Sequence, residues 1–130
     1  MSDTPMVFEF VQESDVLVLI PHGPFMNFRD NEVRTAYNEA YRLLSQPEIH
    51  HLLVDFSLLD YFGSTFVGIL IRLARKVRSD GGQAVLCHVS DNMQQMLRTL
   101  MLLENPKIEF SWTLQGSRVE ALKMFQSAAE

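Results

Sequence analysis

The chain has 130 residues, 47% of them hydrophobic and 21% charged, with a net charge of −5 from 16 acidic and 11 basic side chains. That length suits one domain, 1–130, which can bury about two-thirds of its unfolded surface without disulfide or metal support. The acidic balance argues against gripping a phosphate backbone, so no nucleic-acid partner is expected. The single cysteine, Cys87, excludes an internal disulfide and a cysteine-based zinc site. Met1 to Met6 lacks the basic and apolar regions of a signal peptide. One of the longest apolar runs, Phe66 to Ile71, stops at Arg72, far short of a membrane span. A reducing cytoplasm is the expected setting.

Val7 to Val11 and Val16 to Ile20 are β-rich runs separated by Gln12-Glu13-Ser14-Asp15, a hairpin pattern, and Pro21, Gly23 and Pro24 then break the chain. From about Asn31 to Leu44 the apolar positions Val33, Ala36, Tyr37, Ala40, Tyr41 and Leu44 mark one face of a helix, with Pro47 beyond its end. Leu52 to Phe56 is a short apolar run, predicting a buried strand. A second helix should start near Ser64, turning Phe66, Val67, Ile69, Leu70, Leu73, Ala74 and Val77 inward and Arg72, Arg75, Lys76 and Arg78 outward. Gly81-Gly82 ends it, and Ala84 to Val89 predicts another buried strand.

Ser90 is the expected N-cap of a helix bearing Met93, Met96, Leu97, Leu100 and Met101. Pro106 precedes a strand expected near Ile108 to Trp112, and Ser117 to Glu120 has capping-box spacing before a last helix with Val119, Leu122 and Phe125 inward. The order β-β-α-β-α-β-α-β-α predicts an α/β fold with four helices and a mostly parallel sheet, begun by an N-terminal hairpin.

Nothing in the pattern supplies an enzyme. There is no G-x-x-x-x-G-K or G-x-G-x-x-G loop, and Gly81-Gly82 follows a helix where a pyrophosphate loop would follow a strand. A response-receiver domain would need an acidic pair closing its first strand; here the first strands end in Gln12-Glu13 and Pro21-His22. His50-His51 have no ligand spacing with Glu48 or Asp55 and are expected as surface histidines, while His88 near a strand end could line the carboxyl edge of the sheet. Cys87 reads as an inert buried thiol with a raised pKa. Asp55 and Asp60 flank a loop with Ser57, Tyr61, Gly63, Ser64 and Thr65, but no His or Lys is placed to activate a hydroxyl. Ser64 and Thr65 fit the N-cap of the second helix. A phosphate on Ser64 would place about −1.5 to −2 charges where the helix dipole favours an anion. No metal and no cofactor are expected.

Asp55-Phe56-Ser57-Leu58-Leu59-Asp60-Tyr61-Phe62-Gly63-Ser64-Thr65-Phe66-Val67-Gly68 resembles the central signature of STAS domains, the fold of bacterial anti-sigma-factor antagonists, roughly D-L-S-x-V-x-F-I-D-S-S-G-L-G. The likeness continues through Gly81-Gly82, the strand ending at Val89 and the Ser90-led helix, and follows the chain in order of elements. It implies a protein-interaction module of partner-switching signalling, with Ser64 as phosphate acceptor, Thr65 as the neighbouring hydroxyl, and Phe62, Gly63 and Phe66 among the partner-binding residues. The implied partner is an anti-sigma factor that is also a serine kinase, or a related STAS assembly. Three positions depart from the pattern: Gly63 stands for the signature Asp, Phe66 for the Gly after the hydroxyl pair, and Met101 for a Gly near the end of the next helix. The alternative implied by those departures is a STAS domain that binds without phosphorylation, as a scaffold or as an accessory to a transporter. Self-association is left open by the sequence.

Overall fold

A computed structural model describes residues 7–23, 29–59, 64–103 and 112–129. The chain begins with the expected hairpin, β1 (Phe8–Glu13) paired antiparallel to β2 (Val16–Pro21), with Glu13 opposite Val16. The turn between them holds Ser14 at φ 58°, the positive-φ backbone that tight hairpins of this twist require. Then follow α1 (Asp30–Leu44), β3 (His51–Asp55), α2 (Ser64–Ser79), β4 (Ala84–Cys87), α3 (Asp91–Thr99), β5 (Thr113–Gln115) and α4 (Arg118–Ala129). The sheet order is β1-β2-β3-β4-β5, and every pair after the hairpin is parallel.

Crossovers that all step in one direction with one hand lay their helices on one face of the sheet. The packing follows: Leu17, Leu19, Leu52, Val54, Ala84 and Leu86 point toward side chains of α1, α2 and α3 in one core. The alternate positions Val16, Val18, Ile20, Leu53, Val85 and Cys87 pack beneath Ala121 and Phe125 of α4 in another. Both faces are covered, which is why β2, β3 and β4 read as continuous apolar runs without polar alternation.

The strand expected near Ile108 to Trp112 falls, apart from Trp112, outside the described residues. The described strand is β5 at Thr113–Gln115. Trp112 precedes β5, bridging Leu103 with its side chain 1% exposed.

The C-terminal ends of α2 and α3 share one geometry. After α2, the Gly81 N–H reaches the Arg78 carbonyl at 3.1 Å and the Gly82 N–H reaches Val77 at 2.9 Å, with Gly81 at φ 88°. After α3, the Met101 N–H reaches Arg98 at 2.9 Å and the Leu102 N–H reaches Leu97 at 2.9 Å, with Met101 at φ 60°. Both are Schellman closures, whose left-handed residue is usually glycine. The helix therefore stops at Thr99, and Leu100 and Met101, expected within it, lie past its end and are exposed. A side chain in this backbone region costs about 1 kcal/mol or more. Met101→Gly should accordingly raise stability by up to about 1 kcal/mol, less glycine's greater entropy in the unfolded chain. Urea denaturation of the two proteins checks this, and an unchanged or lower midpoint would refute it.

Candidate functional site

The carboxyl edge of the sheet gathers the residues singled out by their chemistry. Asp55 ends β3 and is 3% exposed, the buried charged side chain among the described residues. Its Oδ1 accepts the Ser57 N–H at 2.9 Å, an Asx-type contact that turns the chain off the strand. Its Oδ2 accepts Arg118 Nε at 3.1 Å and Nη2 at 3.0 Å. Arg118 opens α4, so this pair ties the start of the last helix to the end of β3. It spans 63 residues of sequence, which no local pattern could reveal.

Cys87 ends β4 directly opposite Asp55 in the ladder. Burial, reinforced by the Asp55 charge, pushes its thiol up to about 12, in keeping with the inert thiol read from the sequence. His88 follows at φ 57° and is exposed. Donor atoms of Asp55, Cys87 and His88 lie within 4.8 Å of one another, close enough for a metal ion. The donor set fits one poorly, because the carboxylate is already held by a guanidinium and the thiol resists the deprotonation that ligation needs. His51 is occupied elsewhere: its Nδ1 accepts the Gln83 N–H at 3.0 Å and its ring stacks on Phe125 at 4.8 Å. Burial lowers its pKa, favouring the neutral acceptor form.

From Asp55 the chain passes through buried Phe56, exposed Ser57 and Leu58, and buried Leu59. α2 then opens at Ser64, where the sequence set it. Ser64 and Thr65 are the first two residues of the helix and not its cap; the cap position falls among 60–63, outside the described residues together with Phe62 and Gly63. Thr65 is exposed. The first-turn N–H groups of a helix have no intrahelical acceptor and carry its positive dipole end. α2 has no acidic residue in that turn to compete for them.

Phe66, expected among the partner-binding residues, is a core residue. It is 1% exposed and packs edge-on against Phe8 at 5.9 Å and Phe56 at 5.8 Å. The aromatic cluster anchors the start of α2 against β1 and the end of β3. Phe66 thus fixes the start of the helix from beneath and offers no surface of its own. The signal was available, since its spacing to Ile69, Leu70 and Leu73 marks the inner face of the helix.

The family model of the STAS domain matches residues 8–115. Solved structures share the fold. An anti-sigma-factor antagonist (STAS) domain protein from Planctomyces limnophilus superposes with a TM-score of 0.73 at 22% identity, covering 92% of this chain and 97% of that one. A serine-to-glutamate variant of RsbS from Moorella thermoacetica gives 0.77 at 16% identity over 94% and 97% of the two chains. The Bacillus cell fate determinant SpoIIAA in its phosphorylated form gives 0.67 at 14% identity over 91% and 98%. The match of residues 8–115, on a five-stranded sheet with the expected hairpin and four helices, establishes that the chain belongs to the STAS domain family.

Proposed function

We propose that this protein is an interaction module of bacterial partner-switching signalling, an anti-sigma-factor antagonist or close relative, that acts by binding and not by catalysis. Its site is the opening turn of α2, with Ser64 as phosphate acceptor or contact and Thr65 beside it. Phe62 and Gly63 complete the binding loop, and the working partner is an anti-sigma factor with serine kinase activity in the cytoplasm. The observation that carries this reading is the placement of two consecutive hydroxyl residues in the first turn of a helix free of acidic side chains there. A phosphoryl group at that point lies at the positive end of the helix dipole, so the domain stays folded while its surface gains charge.

The test combines two measurements. Intact-mass analysis of protein from its own cells should show a phosphorylated fraction that Ser64→Ala lacks. Affinity capture from the same cells should recover an ATP-binding serine kinase with wild type. The Ser64→Asp variant should bind it at least about tenfold more weakly, a charge in a desolvated contact costing upward of 1.4 kcal/mol. Equal affinity of wild type and Ser64→Asp would move the interface elsewhere. The second reading, a phosphorylation-independent scaffold or transporter accessory, is favoured by Gly63 standing where the signature has Asp. Partner capture with no phosphate on Ser64 in any condition would select it.

A further inference from the structure

The side of α2 that faces α1 carries a second feature, which begins at Thr65 beside Ser64 and runs along the helix pair. Val33, Arg34 and Tyr37 of α1 and Thr65, Gly68, Ile69 and Arg72 of α2 line an open groove of about 480 Å³. The α2 residues fall at i, i+3, i+4 and i+7, one stripe of the helix, so the groove runs from the opening turn along the helix pair. Its described lining holds two guanidinium groups and no carboxylate. The wider setting sharpens the contrast. The whole chain carries a charge of −5, yet α2 carries Arg72, Arg75, Lys76 and Arg78 with no Asp or Glu at all. Arg34 and Arg72 are both exposed. Arg72 lies over the Tyr37 ring at 5.9 Å from its centroid, which steadies the side chain while leaving its planar edge able to donate.

Gly68 supplies an independent indication. It sits inside α2, where glycine is less favourable than alanine. A Cβ built there would meet nothing within 4 Å, so no internal packing demands its small size. What the missing side chain does is keep the floor of the groove open. An incoming backbone can approach there as closely as helix atoms allow.

We propose that this groove docks an extended acidic segment of the protein partner. Its carboxylates pair with Arg34 and Arg72, and its apolar side chains rest against Tyr37 above Gly68, over the nearly buried Val33 and Ile69. The inference rests on the reading of the chain as a partner-binding module and gives that partner a chemistry: a strand-like stretch alternating acidic and apolar residues. The groove reaches Thr65, so such a segment lies next to the turn proposed to receive phosphate. A phosphate there would repel it, coupling modification to release through like-charge repulsion.

The probe is a synthetic peptide of alternating glutamate and leucine, with its glutamine–leucine counterpart, titrated into isotope-labelled protein and followed by amide chemical shifts. The glutamate peptide should shift Val33, Arg34, Tyr37, Gly68, Ile69 and Arg72, and the glutamine peptide should not. The Arg34→Gln/Arg72→Gln double variant should bind about tenfold more weakly, the scale of two exposed charge pairs lost. Gly68→Leu, which removes no charge and whose Cβ meets nothing within 4 Å, should block binding as well, and thermal melts establish that both variants are folded. No binding by wild type, equal binding of the two peptides, or shifts confined to another face would overturn the proposal. So would preferential binding of the same arginines to phosphatidylglycerol vesicles over the peptide. The two readings fail separately. Kinase capture unaffected by the groove variants removes the groove alone, whereas peptide binding in the groove without any kinase in the capture removes the kinase alone.

Discussion

Replacing Arg118 with methionine should destabilise the protein by about 3 kcal/mol, because it strands the Asp55 carboxylate. Removing one partner of a buried ion pair costs roughly 3–5 kcal/mol, since the remaining charge stays desolvated without compensation. The lower end applies here: the Asp55 side chain is 4% exposed, but that of Arg118 is 33% exposed, and water can follow the lost guanidinium into part of the space. The Ser57 N–H and the Cys87 thiol would remain as the carboxylate's neutral donors, too little to offset the loss of its cationic partner. The diagnostic is a double-mutant cycle. Asp55→Asn in the Arg118→Met background should recover most of the loss, because a neutral amide in that site carries no charge to desolvate. Urea denaturation of the four proteins gives the coupling energy directly. A cost below about 0.5 kcal/mol for Arg118→Met would show the pair to be a solvated surface contact.

Gly82→Ala should be the most damaging small substitution outside the sheet. A Cβ at position 82 would fall 1.7 Å from the His50 carbonyl oxygen and 2.9 Å from Val77 Cγ1. The carbonyl is backbone that leads into β3, and it is held: the His50 N–H reaches Asp15 at 2.8 Å and the Leu52 N–H reaches Gln83 at 3.0 Å. Relief requires moving a strand, so the loss should reach about 3 kcal/mol, the upper end for inserted bulk in a packed site. The neighbouring Gly81→Ala provides the contrast. Position 81 has open space but φ 88°, so its cost is conformational, about 1–2 kcal/mol. Thermal melts of the two variants should therefore separate clearly, Gly82→Ala lower. Equal melting points would mean that the segment before β3 yields easily, and the close approach would then not be a constraint.

These two positions mark the border between local and tertiary information. Gly81-Gly82 is visible in the sequence as a turn, and the turn is there. That the first glycine is needed for its backbone angle and the second for the His50 carbonyl just before β3 is decided only when β3 comes alongside β4. The same holds for Asp55 and Arg118. Asp55 was legible as the first residue of a loop signature, while Arg118 was legible only as part of a helix start. Their pairing depends on α4 returning beneath the sheet, where it covers the face that α1, α2 and α3 leave open.

Element order, the hairpin, the buried strands and the opening of α2 at Ser64 could be read from the amino acids alone. Each rests on contacts between residues close in the chain or on a periodic apolar pattern that burial imposes. The errors fall where neither applies. α3 stops at Thr99 because Met101 takes a left-handed turn that its side chain disfavours. Phe66 was assigned to a surface by position in a signature and to the core by periodicity, and its contacts with Phe8 and Phe56 decide for the core. The groove between α1 and α2 had no trace in the linear pattern. Arg34 and Arg72 are each an ordinary exposed cation on its own helix, and they line one groove only because right-handed crossovers set the two helices side by side on the same face of the sheet.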